Sequence, residues 1–218
     1  MTVRVVVDVE MCRVRTKGTG YPFKNEIIQI GAVMMDEAFA IKDKFSTFVS
    51  PRYGKIDKFI AGLTGITERT IKDAPDIEEA LDRMLRWIGE NEVIFYAWSD
   101  SDYRQIQREI EFKCQESERW TTLLSEENWV DYQKTMGDRL EYFRSIKLEE
   151  ALELAEIDTE GHMHDGLDDA YNTALMISKL ETQKDYQTIV ERLREREKEQ
   201  EPLTTSLGSL LAGVVLDE

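Results

Sequence analysis

The chain has 218 residues, 41% apolar and 33% charged, which suits one well-packed globular domain with appendages and excludes two full domains. A net charge of −16 and a pI near 4.7 exclude a diffuse, sequence-independent grip on nucleic acid, and two cysteines, Cys12 and Cys114, exclude a disulfide framework. The longest apolar stretch, Leu210 to Leu216, falls far short of the roughly 20 residues that span a bilayer, and no basic and apolar leader precedes the first strand, so the expected compartment is the reducing cytoplasm.

The first predicted element is a strand over residues 3 to 9, a β-branched run that ends in Asp8-Val-Glu10. Period-two geometry puts Asp8 and Glu10 on one side of it. Like charges this close raise each other's pKa unless a cation sits between them, and the simplest such partner is a divalent metal. The stretch from Cys12 to Asn25 then carries Arg13, Arg15, Lys17 and Lys24 and no acid, while Arg52, Lys55 and Lys58 follow Pro51. Between residues 11 and 72 eleven Lys and Arg face six Asp and Glu, so the rest of the chain is more acidic still. Screening acts over about 8 Å at physiological salt, which lets such a local basic rim hold an anion on an acidic protein.

Strands over 26–35 and 43–49 complete a meander, and Pro51 ends the third. A loop containing Leu63-Thr-Gly-Ile-Thr leads into a helix over 76–88, whose apolar residues recur at helical spacing. A fourth strand (93–97), a helix near 102–116, a short fifth strand at Trp129 to Tyr132 and helices over 148–155 and 167–180 follow. The order predicts an α/β fold with a mixed five-stranded sheet flanked by helices, over residues 1–182. Residues 183–201 read as a charged helix in which Ile189, Val190 and Leu193 allow only weak packing, and 202–218 as a flexible or docked tail able to recruit a protein partner.

A sheet-centred metal site needs further carboxylates. Asp102 stands at the start of the helix after the fourth strand; an N-cap role is the alternative, for which Asp100 is the better candidate, and spacing alone does not separate the two. His164 and Asp169 flank the point where the glycine-containing loop 161–166 enters a helix. His162 competes with His164, but the residue five positions after it is Leu167, which binds no metal; Asp168 reads as a first-turn carboxylate favoured by the helix dipole.

Asp8-x-Glu10, Asp102 after a strand and His164-x4-Asp169, in this order with Glu26-Ile-Ile-Gln-Ile-Gly-Ala-Val and the Leu63-Thr-Gly-Ile-Thr loop between them, resemble the motifs of the DEDDh-type 3′-to-5′ exonucleases. Cys12, Trp98-Ser-Asp-Ser-Asp and Gly161-His-Met-His-Asp-Gly-Leu-Asp-Asp are most similar to the Eri1-like members. The resemblance implies a ribonuclease-H-like fold and activity on 3′ ends of RNA or single-stranded DNA. It also implies that Asp8 bridges two divalent ions, that Glu10 and Asp169 complete one and Asp102 supports the other, and that His164 is the general base.

The residue types suit that chemistry. Two ions about 3.5–4 Å apart stabilise both the entering and the leaving oxygen of a phosphodiester. An all-carboxylate set fits magnesium or manganese better than zinc. An imidazole with a pKa near 6.5 suits proton abstraction at neutral pH. Met11, Leu63 and Tyr103 are candidates to stack on the terminal bases, with core packing as the alternative for each, and Cys12 reads as a small buried residue and not a nucleophile. Two other functions fit the same residues: a non-catalytic protein-interaction module on this fold, and a proofreading-type DNA exonuclease subunit.

Overall fold

Val5, Val6 and Val7 are each at most 1% exposed, so β1 (Thr2–Val14) is covered on both faces, as a β-branched run in a central strand requires. The computed structural model describes residues 2–15, 17–142, 144–183 and 186–200; the proposed tail at 202–218 lies outside them. β1 pairs antiparallel with β2 (Asn25–Met35), which pairs antiparallel with β3 (Ile41–Phe48), giving the expected meander. On its other side β1 runs parallel to β5 (Glu92–Ala97), and β5 parallel to β6 (Trp129–Asp131).

The sheet has six strands in place of the five expected, because β4 (Gly54–Lys55) pairs with Arg13 and Val14 on the side of β1 opposite β2, beyond the stretch paired with β5. Two residues, one of them glycine, carry no alternation by which a strand is recognised. A second difference lies after it: α1 (Lys58–Thr64) and α2 (Glu68–Ile71) occupy the segment read as a loop. Asp57 caps α1 through the amide of Ile60, and Gly65 ends it at φ +70°, the left-handed position glycine takes without strain.

Two helical layers sandwich the sheet, and alternate residues of β1 face each. Val5, Val7 and Val9 join Phe95 in a core with α3 (Ile77–Ile88) and α4 (Asp100–Lys113). Val6 and Val33 pack on the other side against Ala170, Ala174 and Ile177 of α8 (Gly166–Gln183). Four further helices flank this sandwich: α5 (Thr121–Leu124), α6 (Tyr132–Leu140), α7 (Leu148–Leu154) and α9 (Tyr186–Gln200). α9 packs more tightly than its charged sequence suggests, since Ile189 is 2% and Leu193 5% exposed within the α8-side core. Among the described residues no helix is long and apolar enough to cross a membrane.

One contact fixes where α8 starts. A Cβ added to Gly31 of β2 would lie 2.1 Å from the carbonyl carbon of Gly166 and 2.3 Å from the amide nitrogen of Leu167, so strand and helix meet backbone to backbone. Gly31→Ala is therefore expected to lower the melting temperature by roughly 6–12 °C, the shift from about 3 kcal/mol of overpacking in a chain of this size, as read by calorimetry. An unchanged melting temperature would mean that α8 can retreat without cost.

Candidate active site

Asp8 and Glu10 lie opposite Gly31 and Gln29 of β2, and the register shifts just after Glu10, leaving Ile28 without a partner on β1. Such a bulge bends the strand where it must turn side chains toward a site. Asp102 arrives from α4. It is 6% exposed, and its Oδ1 accepts from the backbone N–H of Val9 at 3.2 Å, between the two β1 carboxylates. Asp100, by contrast, is exposed and pairs with Arg104 at 2.7 Å, which separates the two residues that spacing left open. Neither is the N-cap: Ser99 caps α4 by accepting from the amide of Ser101, and Asp100 is already the first helical residue.

The start of α8 delivers the last motif. The Asp165 carboxylate accepts from the amides of Leu167 and Asp168 and so caps the helix. Gln29 ties this cap to the sheet: its Nε2 donates to Asp165 Oδ2 at 3.1 Å, and its Oε1 accepts from the amide of Gly166 at 3.0 Å. His164, just outside the helix, is exposed and holds a left-handed φ of +68°, while its N–H donates to Asp169 Oδ2 at 2.9 Å. Asp169 is 7% exposed and its Oδ1 has no hydrogen-bond partner. Ligand atoms of Glu10, His164 and Asp169 lie within 4.8 Å of one another. His162 and Asp168 are occupied with each other instead, through a 2.8 Å bond from the His162 amide.

Burial pushes the Asp8 carboxyl well above the usual range, and the neighbouring carboxylates Asp102, Asp169, Glu10 and Asp165 add to it. Burial, reinforced by Asp169 and Asp102, lifts Glu10 to about 8. Burial lifts Asp102 to about 7 against the bonds from Val9 and its own backbone, and raises Asp169 as well. A set of carboxylates whose charges oppose one another, with a buried oxygen left unpartnered, is what a bound cation would relieve. The donors are hard oxygens, so a divalent ion of the magnesium or manganese kind fits them.

The substrate-side candidates divide. Leu63 projects from α1 at 39% exposure and Met11 is half-buried at the end of β1. Tyr103 is 8% exposed, with its hydroxyl donating to the Leu124 carbonyl and its ring 5.2 Å from that of Trp129, so little of it is open to a base. Cys12 is fully buried beside Ile60 and Ile66, and burial pushes its thiol up to about 12, the setting of an inert core residue.

Two members of the site escaped the sequence reading. Asp165 adds a further negative charge beside Asp8, and its signal was the residue type before Gly166 at a helix start. Gln29 was legible as the one polar side chain inside the apolar run Ile27 to Val33, a buried amide that has to find partners.

The family model described as Exonuclease matches residues 5–177. Similar sequences include the 3′-5′ exoribonuclease 1 of Rattus norvegicus, 27% identical over 165 residues that make up 72% of this chain and 47% of the relative. The DNA polymerase III subunit epsilon of Aquifex aeolicus is 40% identical over 91 residues, 41% of each chain. This chain thus spans about half the length of the exoribonuclease it matches. Among solved structures, the nuclease domain of 3′hExo, a DEDDh family member bound to rAMP, superposes with a TM-score of 0.70 at 22% identity, covering 83% of this chain and 92% of that one. At that identity the likeness establishes the ribonuclease-H-like exonuclease fold.

Proposed function

We propose that this chain, which belongs to the exonuclease family, is a metal-dependent 3′-to-5′ exonuclease that hydrolyses phosphodiester bonds at the 3′ ends of RNA or single-stranded DNA. The observation that carries this reading is the convergence of Asp8, Glu10, Asp102 and Asp169 around the central strand β1, with His164 bonded to Asp169 and a buried Asp169 oxygen left unpartnered. These four carboxylates would hold two divalent ions, magnesium or manganese. Such ions supply the positive charge that stabilises the entering and leaving oxygens of the reacting phosphate.

The side chains do the rest. His164 takes the proton from the attacking water: it is exposed, it stands on the loop before α8, and its backbone is anchored by Asp169. Asp102 is held in place through Val9, so it also fixes the end of β1 from which Glu10 projects. Met11 and Leu63 grip the terminal base by apolar contact, which tolerates any sequence, with the mostly buried Tyr103 as a lesser contributor.

A 5′-labelled single strand incubated with the protein and manganese is expected to shorten into a ladder of products, and EDTA to stop it. Matched RNA and DNA strands run side by side then give the preference. A labelled strand that stays intact in every divalent ion tested would leave the fold as a non-catalytic module.

A further inference from the structure

The end of the molecule beyond Glu10 gathers arginines and aromatic rings on one face. Several exposed arginines elsewhere pair with acids: Arg83 and Arg86 bond Glu79, Arg104 bonds Asp100, and Arg119 reaches Glu78 and Asp82. Three arginines at this end do otherwise. Arg13 lies 5.2 Å over the ring of Phe59, Arg52 5.5 Å over Tyr53 and Arg108 5.6 Å over Phe23, and among the described residues none of the three makes an ion pair. Arg104 and Arg108 sit one turn apart on α4, yet among the described residues only the one nearer the acid cluster is neutralised by a carboxylate.

The apolar surface is concentrated here too. Among the described residues the exposed large hydrophobic side chains are Phe59 at 59%, Phe112 at 41% and Leu63 at 39%, on α1 and at the end of α4. Phe112 belongs to an aromatic cluster: Tyr53 and Phe112 both contact Tyr21, Tyr53 by a stack at 4.9 Å and Phe112 edge-on at 5.1 Å. Beneath, the acids Glu26 and Glu109 are fully buried and turned inward onto Lys113, so they do not cancel the surface charge. On a chain of net charge −16, cations kept free of acids and laid on aromatic faces match the backbone and bases of a single strand.

We propose that this face is a track for single-stranded nucleic acid upstream of the cleaved nucleotide. Arg13 is three residues beyond Glu10, about 10 Å along an extended strand, and Phe112 is ten residues beyond Asp102, about 15 Å along the helix axis. The direction of the strand along this track rests on the 3′-exonuclease reading of the acid cluster. Binding to the track does not.

The test is a titration of the full chain with a 5′-fluorescein single-stranded 20-mer in calcium, followed by anisotropy at several salt concentrations, alongside hydrolysis of a dinucleotide in manganese. The Arg52→Ala/Arg108→Ala variant is expected to bind the 20-mer at least tenfold more weakly and to lose about 1.4 from the log–log salt slope, roughly 0.7 for each phosphate contact removed. Phe59→Ala/Phe112→Ala should weaken binding with the slope unchanged. Arg83→Ala/Arg86→Ala, which removes equal charge from α3, should do neither, and dinucleotide hydrolysis should be the same in all four proteins.

The track is refuted if the wild type does not bind the 20-mer, if the arginine variant keeps the wild-type affinity and slope, or if the α3 control loses as much. Strand binding with the expected slopes but no hydrolysis would uphold the track and remove the exonuclease reading. Hydrolysis of the dinucleotide with no variant affecting the 20-mer would do the reverse.

Discussion

Asp8→Asn is expected to abolish exonuclease activity, by three decades or more, while making the metal-free protein more stable. The loss follows from removing the carboxylate on which the other acids bear most heavily, where the ions' contribution amounts to several kcal/mol. The gain follows from linkage. Burial and neighbouring charge raise the folded-state pKa of Asp8, so above its unfolded pKa of about 4 the folded state must either hold a repelled charge or take up a proton. Asp8 therefore subtracts stability at pH 7 and subtracts nothing below about pH 4, where it is protonated in both states. The amide removes that penalty, and each 1 kcal/mol recovered reads as roughly 2–4 °C in melting temperature. Scans at pH 7 and pH 3.5 check the sign: the variant should melt higher at the first and match the wild type at the second. Manganese should then raise the wild-type melting temperature, by about 2.7 kcal/mol of stability at a hundredfold excess over the dissociation constant, and the variant's far less. An Asp8→Asn protein that is both active and unaltered in stability would remove Asp8 from the site.

His164→Asn is expected to cost about 10²–10⁴-fold in turnover, the usual worth of a positioned general base, with the manganese-induced stabilisation retained. Asparagine is the informative replacement because position 164 sits at φ +68°, which asparagine tolerates better than most residues, so the backbone bond to Asp169 survives. The same change at His162, whose amide serves Asp168, should leave turnover within about twofold of wild type, well inside the range that marks loss of a catalytic base. Thermal shift with and without manganese, beside single-turnover hydrolysis, separates loss of the base from loss of metal. If His162→Asn alone fails, the role belongs to that residue.

The strands that position this site were legible because their residues leave little choice. Val3 to Val9 and Ile27 to Val33 bury both faces, and only a central sheet accommodates such runs. The helical α1 and the two-residue β4 were not legible, since one is seven residues long between a cap and a glycine and the other has no pattern at all. Asp100 and Asp102 needed three dimensions, because which of them faces Val9 depends on where the first turn of α4 begins, and Ser99 takes the cap. The packing of α9 was hidden by its charge: Ile189 and Leu193 form a stripe narrow enough to look weak, yet wide enough for the seam beside α6 and α7. Asp165 and Gln29 went unread for a related reason, as their importance lies in a bond between two segments 136 residues apart.

The 2.9 Å bond from the His164 amide to Asp169 makes one carboxylate the holder of two things at once. Its Oδ2 fixes the backbone of the proposed base, and its Oδ1 is buried with no hydrogen-bond partner, free for the proposed cation. Kinetic losses at the two positions will consequently not sum. An Asp169 substitution frees the His164 backbone as well as emptying a ligand position, so adding His164→Asn to it should subtract little more, and the double-mutant cycle should close with a large interaction energy. On the proposed roles, base and ligand would form one thermodynamic unit, and selection acting on either would be felt by both.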